Sequence, residues 1–223
     1  TGSGKTEIYI HLIRRALEHK QQVLYLLPEI ALTVQMMQRL QRVFGDRLGI
    51  YHSKYSDAER VEIWQKQLSS HPYDIILGAR SAVLLPFQKL GLVIVDEEHE
   101  NSYKQQDPAP RYHARSAAIV LAHMTGAKTV LGTATPSMET YYNTQTGKYG
   151  LVSLTQRFQG MQLPRIEVVD VARLQHRKEM KGPFSPLLLT SMREALQQGE
   201  QVILFQNRRG FAPMVECHQC GWV

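Results

Sequence analysis

The sequence predicts an α/β protein, a parallel sheet covered by helices, and three observations carry that prediction. Short β-branched apolar runs alternate along the chain with stretches of helical periodicity. Two of those runs, 73–77 and 90–95, are almost wholly apolar, which suits the middle of a parallel sheet. The chain also opens on Thr1-Gly2-Ser3-Gly4-Lys5-Thr6, a glycine turn feeding straight into a helical stretch.

Each element follows from local chemistry. Residues 7–18 place Ile8, Leu12, Ile13, Ala16 and Leu17 at helical spacing. A strand is expected at 23–27, then a helix at 32–44 stopped by Gly45, then a strand at 48–52. Ser56-Asp57-Ala58-Glu59 is a capping box and opens a helix that runs to about residue 68. The two apolar strands at 73–77 and 90–95 come next. Residues 111–124 read as a helix ended by Gly126, 128–131 as a strand, and Pro136 as the start of another helix.

From residue 147 the character changes. Isolated strands are expected at 151–154 and 166–169, and 174–184, basic at Arg177, Lys178 and Lys181, reads as a linker or surface loop. Ser185-Pro186 opens a helix to about residue 198, and 201–205 is a buried-type strand. The expected organisation is a first α/β domain over 1–148, a linker and the beginning of a second α/β domain over 149–214, and the start of a zinc-binding module over 215–223.

Bulk properties bound the function. With 223 residues, 43% of them hydrophobic, the chain can bury a sizeable core. No apolar run approaches the roughly 20 residues a membrane span needs, so no membrane partner is expected. The net charge of +6 tilts weakly toward a polyanionic partner. Two cysteines, both in the last seven residues, exclude a disulfide scaffold and fit a reducing cytoplasm.

Three motifs carry chemistry. The opening hexapeptide matches the second half of G-x-x-x-x-G-K-[ST], a loop whose backbone N–H groups cradle a triphosphate. Gly2, Ser3 and Gly4 then line the phosphates of ATP, Lys5 reaches the outer ones, and the Thr6 hydroxyl ligates Mg²⁺. The pattern's first glycine would fall two residues before Thr1, so the sequence is expected to be a piece of a longer chain. Asp96-Glu97-Glu98-His99 follows the apolar run 90–95, where a carboxylate can hold Mg²⁺ (Asp96) and its neighbour can activate the attacking water (Glu97). Cys217-His218-Gln219-Cys220-Gly221 has the spacing of half a zinc ribbon, with Cys217 and Cys220 as thiolate ligands of Zn²⁺ and two further ligands expected beyond Val223. A redox C-x-x-C is the alternative, but no thioredoxin-like unit surrounds it.

The stretches T-G-S-G-K-T, L-P-E-I-A-L-T, G-A-R-S-A, D-E-E-H, G-T-A-T-P-S and Q-N-R-R-G-F-A-P occur in this order. Together they resemble the successive motifs of the superfamily-two DNA helicases of the DExH type. The segment from Ser102 to Arg115 and the C-x-x-C after N-R-R-G-F-A-P are most similar to the replication-restart branch of that family. The resemblance implies a RecA-like motor domain and an ATP-dependent motor of 3′→5′ polarity. It also implies forked DNA and single-strand/duplex junctions as substrates, with primosome proteins and single-strand-binding protein as partners in a bacterial cytoplasm. It further implies that these 223 residues alone hydrolyse little ATP, because the second motor domain supplies positive charge to the site.

On the same resemblance, Thr33, Arg80 and Ser81 would hold the DNA backbone, although each also fits a purely structural strand-to-helix turn. Residues 132–137, with Thr133 and Thr135, would couple nucleotide state to DNA grip. The loop 100–115 carries Tyr103, Lys104, Arg111 and Tyr112 together with His113 and Arg115. Aromatic rings and guanidiniums stack on bases without reading sequence, so this loop is expected to sense DNA. The other possibility is that Tyr112 packs in the core and the charges are solvated. Two further readings stay open: a double-strand DNA translocase or restriction-enzyme motor subunit, and a zinc-ribbon primosome-assembly scaffold whose ATPase is dispensable.

Overall fold

The computed structural model describes residues 4–29, 31, 34–52, 55–155 and 164–205. The sequence-predicted residues Gly2, Ser3, Thr33, Cys217 and Cys220 lie outside them. The chain divides into two compact units, Thr1–Met161 and Gln162–Val223.

In the first unit, helices and strands follow in the order α1 (Lys5–Glu18), β1 (Gln22–Leu26), α2 (Val34–Phe44), β2 (Leu48–Tyr51), α3 (Asp57–Leu68), β3 (Ile75–Gly78), β4 (Leu90–Asp96), α4 (Ala114–Thr125), β5 (Lys128–Gly132) and α5 (Met138–Gln145). The five strands form one sheet in the order β2-β3-β1-β4-β5, and every pairing is parallel. All residues of β1, β3 and β4 are buried, as expected of strands covered on both faces.

The period of two along each strand sorts the core into two layers. Val23, Tyr25, Ile75, Leu77, Leu92 and Ile94 face Tyr9, Ile13 and Leu17 of α1 and Leu40 and Phe44 of α2. Leu24, Leu26, Ile76, Val93 and Val95 face Ile63 of α3 and Ala114, Ala118 and Ala122 of α4. Those three alanines recur every four residues, so α4 presents one small-residue stripe to the sheet and can approach it closely.

Local signals set the helix ends. The capping box forms as read: Ser56 N donates to Glu59 Oε2 at 2.7 Å, and Glu59 N donates to Ser56 Oγ at 3.3 Å. Such a cap contributes about 1 kcal/mol. Gly126 ends α4 in the left-handed region at φ 73°, where a side chain would be strained.

Several expectations are corrected. Residues 111–113 belong to a loop, not to α4, because Lys104 and His113 form an antiparallel bridge and Gln105 N donates to Tyr112 O at 2.9 Å. Pro136 lies before the helix; Ser137 caps α5 by accepting from Thr140 N. Part of the expected linker is helical, α6 (Val171–His176), because the Asp170 side chain caps it. The last helix, α7 (Pro186–Gln197), starts at Ser185-Pro186 as read. Segments 151–154, 166–169 and 201–205 are not strands: they find no ladder partner among the described residues, and Val152, Ile166, Val168 and Ile203 are exposed.

Candidate nucleotide site

The site assembles where β4 ends beside the start of α1. Helix α1 begins at Lys5 with Gly4 as its cap residue in the left-handed region, φ 81°, and no side chain caps the helix. The N–H groups of a helix's first turn have no intrahelical acceptor. Among the described residues, nothing lies within 4 Å of the position a Cβ would take on Gly4. Thr6, half-buried, follows in that first turn.

The Lys5 ammonium reaches across to the end of β4. It lies 2.8 Å from Glu97 Oε1 and 3.7 Å from Asp96 Oδ1. The three residues predicted from two motifs more than ninety positions apart are therefore in one place. Two carboxylates against one ammonium leave net negative charge, which fits a divalent cation. Burial pushes the Asp96 carboxyl above its ordinary range, against the pull of Lys5 and of the Tyr9 hydroxyl. A metal ion there would relieve that cost. The residues present therefore fit Mg²⁺ held by Asp96 and Thr6, with a triphosphate at Lys5 and the α1 N-terminus.

Glu97 sits at φ 47°, an uncommon conformation for a residue with a side chain. The chain leaves the sheet abruptly there: Glu97 N donates to Asp96 Oδ1 at 3.0 Å, and Glu98 N donates to Gly132 O at 3.1 Å. This turn sends successive carboxylates in different directions. Glu97 points to Lys5, whereas Glu98 is fully buried.

Glu98 is a residue that motif reading left without a role. Its Oε1 accepts from Ser137 N at 2.8 Å. Its Oε2 accepts from Arg115 Nη1 at 2.6 Å, Thr140 Oγ1 at 2.9 Å and Ser137 Oγ at 3.1 Å. Burial alone would raise its pKa; the Ser137 N–H, the Arg115 guanidinium and the Thr140 hydroxyl outweigh that and hold it below the ordinary carboxylate range. One buried carboxylate thus joins the end of β4, the N-terminus of α5 and the start of α4. His99 makes a parallel link, with Nδ1 2.8 Å from Thr133 Oγ1 and 3.8 Å from Glu97 Oε2. Thr133 Oγ1 in turn accepts from Thr135 N at 3.0 Å. The segment 132–137 is therefore bonded directly to the residues flanking Glu97.

The 100–115 loop divides into inner and outer parts. Tyr103 is fully buried and its hydroxyl donates to Asp96 O at 2.7 Å. This corrects the expectation that it stacks on DNA: no face of its ring reaches solvent. Burial, with the charge of Asp96 next, keeps its phenol protonated well above the ordinary range. Tyr112 is half-buried against the α4 side of the core, where burial also raises its phenol. Arg111 is exposed, and its carbonyl accepts from Lys104 Nζ at 3.0 Å. Arg80, half-exposed in the turn after β3, donates through Nη1 to Lys104 O at 3.2 Å and Ser102 O at 3.4 Å. Arg80 therefore holds this loop's backbone, with half-exposed Ser81 beside it.

Comparison with known proteins agrees with this geometry. The model of the DEAD/DEAH box helicase family matches residues 1–144. The Replication restart protein PriA of Haemophilus influenzae is 44% identical over the whole chain, which covers 30% of that protein. The proteins of the same name from Chlamydia trachomatis and Bacillus subtilis are 43% and 41% identical, with 29% and 27% of their lengths covered. The chain thus spans less than a third of these relatives. Among solved structures, RecG bound to a three-way DNA junction superposes on 89% of this chain, and 24% of its own, with a TM-score of 0.54 at 18% identity, a likeness of fold. With a phosphate-loop lysine set against an Asp-Glu pair on a parallel sheet, and a family model matched over that same sheet, the chain belongs to the DEAD/DEAH box helicases.

Proposed function

We propose that this chain is the first motor region of an ATP-driven DNA helicase of 3′→5′ polarity that acts at forked DNA and restarts replication by helping to reload the replicative helicase. The observation that carries the reading is the convergence of Lys5, Asp96 and Glu97 at one strand end. The name of the relatives supports the biological role.

ATP with Mg²⁺ supplies the phosphoanhydride whose hydrolysis drives the cycle. Lys5 exchanges its carboxylate partners for the outer phosphates. Asp96 and Thr6 hold the metal, and Gly2, Ser3 and Gly4 supply backbone donors. Glu97, relieved of its ion pair, orients and deprotonates the attacking water. Glu98 keeps α4, α5 and the end of β4 in register, while His99, Thr133 and Thr135 tie the 132–137 segment to the same turn. Lys104, Arg111 and Tyr112 meet single-stranded DNA, and Thr33, Arg80 and Ser81 support the strand backbone.

In the complete protein, Cys217 and Cys220 contribute half of a zinc site. Primosome proteins and single-strand-binding protein are its partners in the bacterial cytoplasm. Because the chain covers 30% of the Haemophilus influenzae relative, activity is assigned to the longer protein. The isolated 223 residues are expected to hydrolyse ATP slowly. A catalytic arginine from elsewhere contributes about 10³–10⁵ in rate in related enzymes.

The test is ATP hydrolysis and strand separation by the complete protein on forked DNA. Both should be present and both should vanish in Lys5→Ala. Fork-stimulated hydrolysis without unwinding would replace this reading with a translocase. Loading of the replicative helicase that survives Lys5→Ala would replace it with a scaffold.

A further inference from the structure

Lys5 and Tyr9 stand four residues apart on α1, so they lie on one face of the helix, one turn apart. Both reach the same carboxylate. Tyr9 is buried, and its hydroxyl donates to Asp96 Oδ1 at 3.0 Å. Glu97 N donates to that same oxygen at 3.0 Å, and the Lys5 ammonium approaches it at 3.7 Å. The Tyr9 ring is fixed by Tyr25, which packs edge-on with centroids 5.5 Å apart.

The place this hydroxyl occupies exists because of a glycine. A Cβ built on Gly132 would lie 1.7 Å from Tyr9 Oη and 2.8 Å from Tyr9 Cζ. It would also lie 3.1 Å from Asp96 Oδ1. Gly132 is the last residue of β5 and pairs with Asp96 across the sheet. Its backbone has no need of glycine's conformational freedom, since its φ is not among the positive ones. What glycine provides here is volume: it is the socket into which the Tyr9 hydroxyl fits beside Asp96.

We propose that Tyr9 is a positioning residue for the metal-binding carboxylate: seated in the Gly132 socket, its hydroxyl joins the Glu97 N–H in committing Asp96 Oδ1 to protein donors, so that Oδ2 is the oxygen presented to Mg²⁺. This rests on the reading of Asp96 as the magnesium ligand. It also gives the glycine of the 132–137 segment a function separate from that segment's hydroxyl residues. A carboxylate held at one oxygen loses rotational freedom about its terminal torsion, which lowers the entropy lost on binding a metal. Outer partners of metal ligands typically contribute 10–100-fold in affinity when removed.

The experiment measures Mn²⁺ as a spectroscopic substitute for Mg²⁺, bound to the complete protein with a slowly hydrolysed ATP analogue. In Tyr9→Phe the half-saturating Mn²⁺ concentration should rise about tenfold. Analogue binding without metal and the melting temperature should stay near wild type. Gly132→Ala should raise it comparably, because the added methyl displaces the same hydroxyl. The double variant should fall well short of the two effects multiplied. Unchanged Mn²⁺ affinity in Tyr9→Phe, or a loss that only tracks a lower melting temperature, overturns the proposal. If Asp96→Asn also leaves Mn²⁺ binding unchanged, the assignment of Asp96 itself fails; if it abolishes binding while Tyr9→Phe does not, only the role of Tyr9 fails.

Discussion

The Lys5 ammonium stands 2.8 Å from Glu97 Oε1, so the residue proposed to meet the phosphates is paired with the one proposed to activate water. Nucleotide binding must break this pair. Neutralising Glu97 removes the competitor, and the partly exposed pair is worth about 0.5–1 kcal/mol. Glu97→Gln is therefore expected to bind an ATP analogue roughly two- to fivefold more tightly while losing hydrolysis. Titration at low and at high salt checks it, since the gain should shrink as salt screens the pair. Weaker binding in Glu97→Gln would contradict the competition.

The buried Glu98–Arg115 pair should matter most for stability. Glu98→Ala leaves the Arg115 guanidinium, only 14% exposed, without its carboxylate. Breaking a buried pair from one side costs about 3–5 kcal/mol. Urea unfolding of the complete protein should report a loss of this order in the first unit. Glu98→Gln, which keeps two acceptor sites fewer but preserves shape, should lose less.

The pH dependence of that contribution has a definite sign. The Glu98 pKa is lowered in the folded chain, so its stabilisation is fully present above the ordinary value of 4.5 and is lost as pH falls through the folded value. Below pH 4.5, wild type should therefore lose stability more steeply than Glu98→Gln. Parallel acid titrations of the two proteins, followed by circular dichroism, measure the difference.

Asp96 should behave in the opposite sense. Its pKa is raised chiefly by burial, so ionisation opposes folding above the folded value, and the cost is relieved as pH falls toward the ordinary 3.8. Asp96→Asn is expected to melt at or above the wild-type temperature at pH 7, with the gap closing in acid, while Mg²⁺-dependent hydrolysis is lost. A melting temperature well below wild type would show that the carboxylate stabilises the fold.

Within the loop, Arg111 gives the clearest test of DNA sensing, because its side chain is exposed and Tyr112 also packs against the core. Arg111→Ala should lower DNA stimulation of ATP hydrolysis about tenfold, the scale of one base-stacking contact. Basal hydrolysis and the melting temperature should hold. Equal loss of basal and stimulated rates would remove Arg111 from the DNA surface.

Contiguous chemistry was readable from the sequence alone. The Gly4-Lys5-Thr6 loop, the Asp96-Glu97 pair, the Ser56–Glu59 box and the Gly126 stop each act through neighbours a few residues away, so spacing is enough to identify them. The alternation of apolar runs with helical periods likewise foretold a parallel sheet. Only the tertiary structure decided the rest, because it depends on partners far along the chain. Tyr103 reads like Tyr112 in sequence, yet it lies beneath Asp96. Glu98 reads as one more acid, yet four bonds from α4 and the start of α5 converge on it. The β-branched runs at 151–154, 166–169 and 201–205 have the composition of strands, but a strand exists only when another backbone pairs with it. And Gly132, which any reading of turns would assign to backbone freedom, is there to leave room for a hydroxyl carried on a helix 123 positions away.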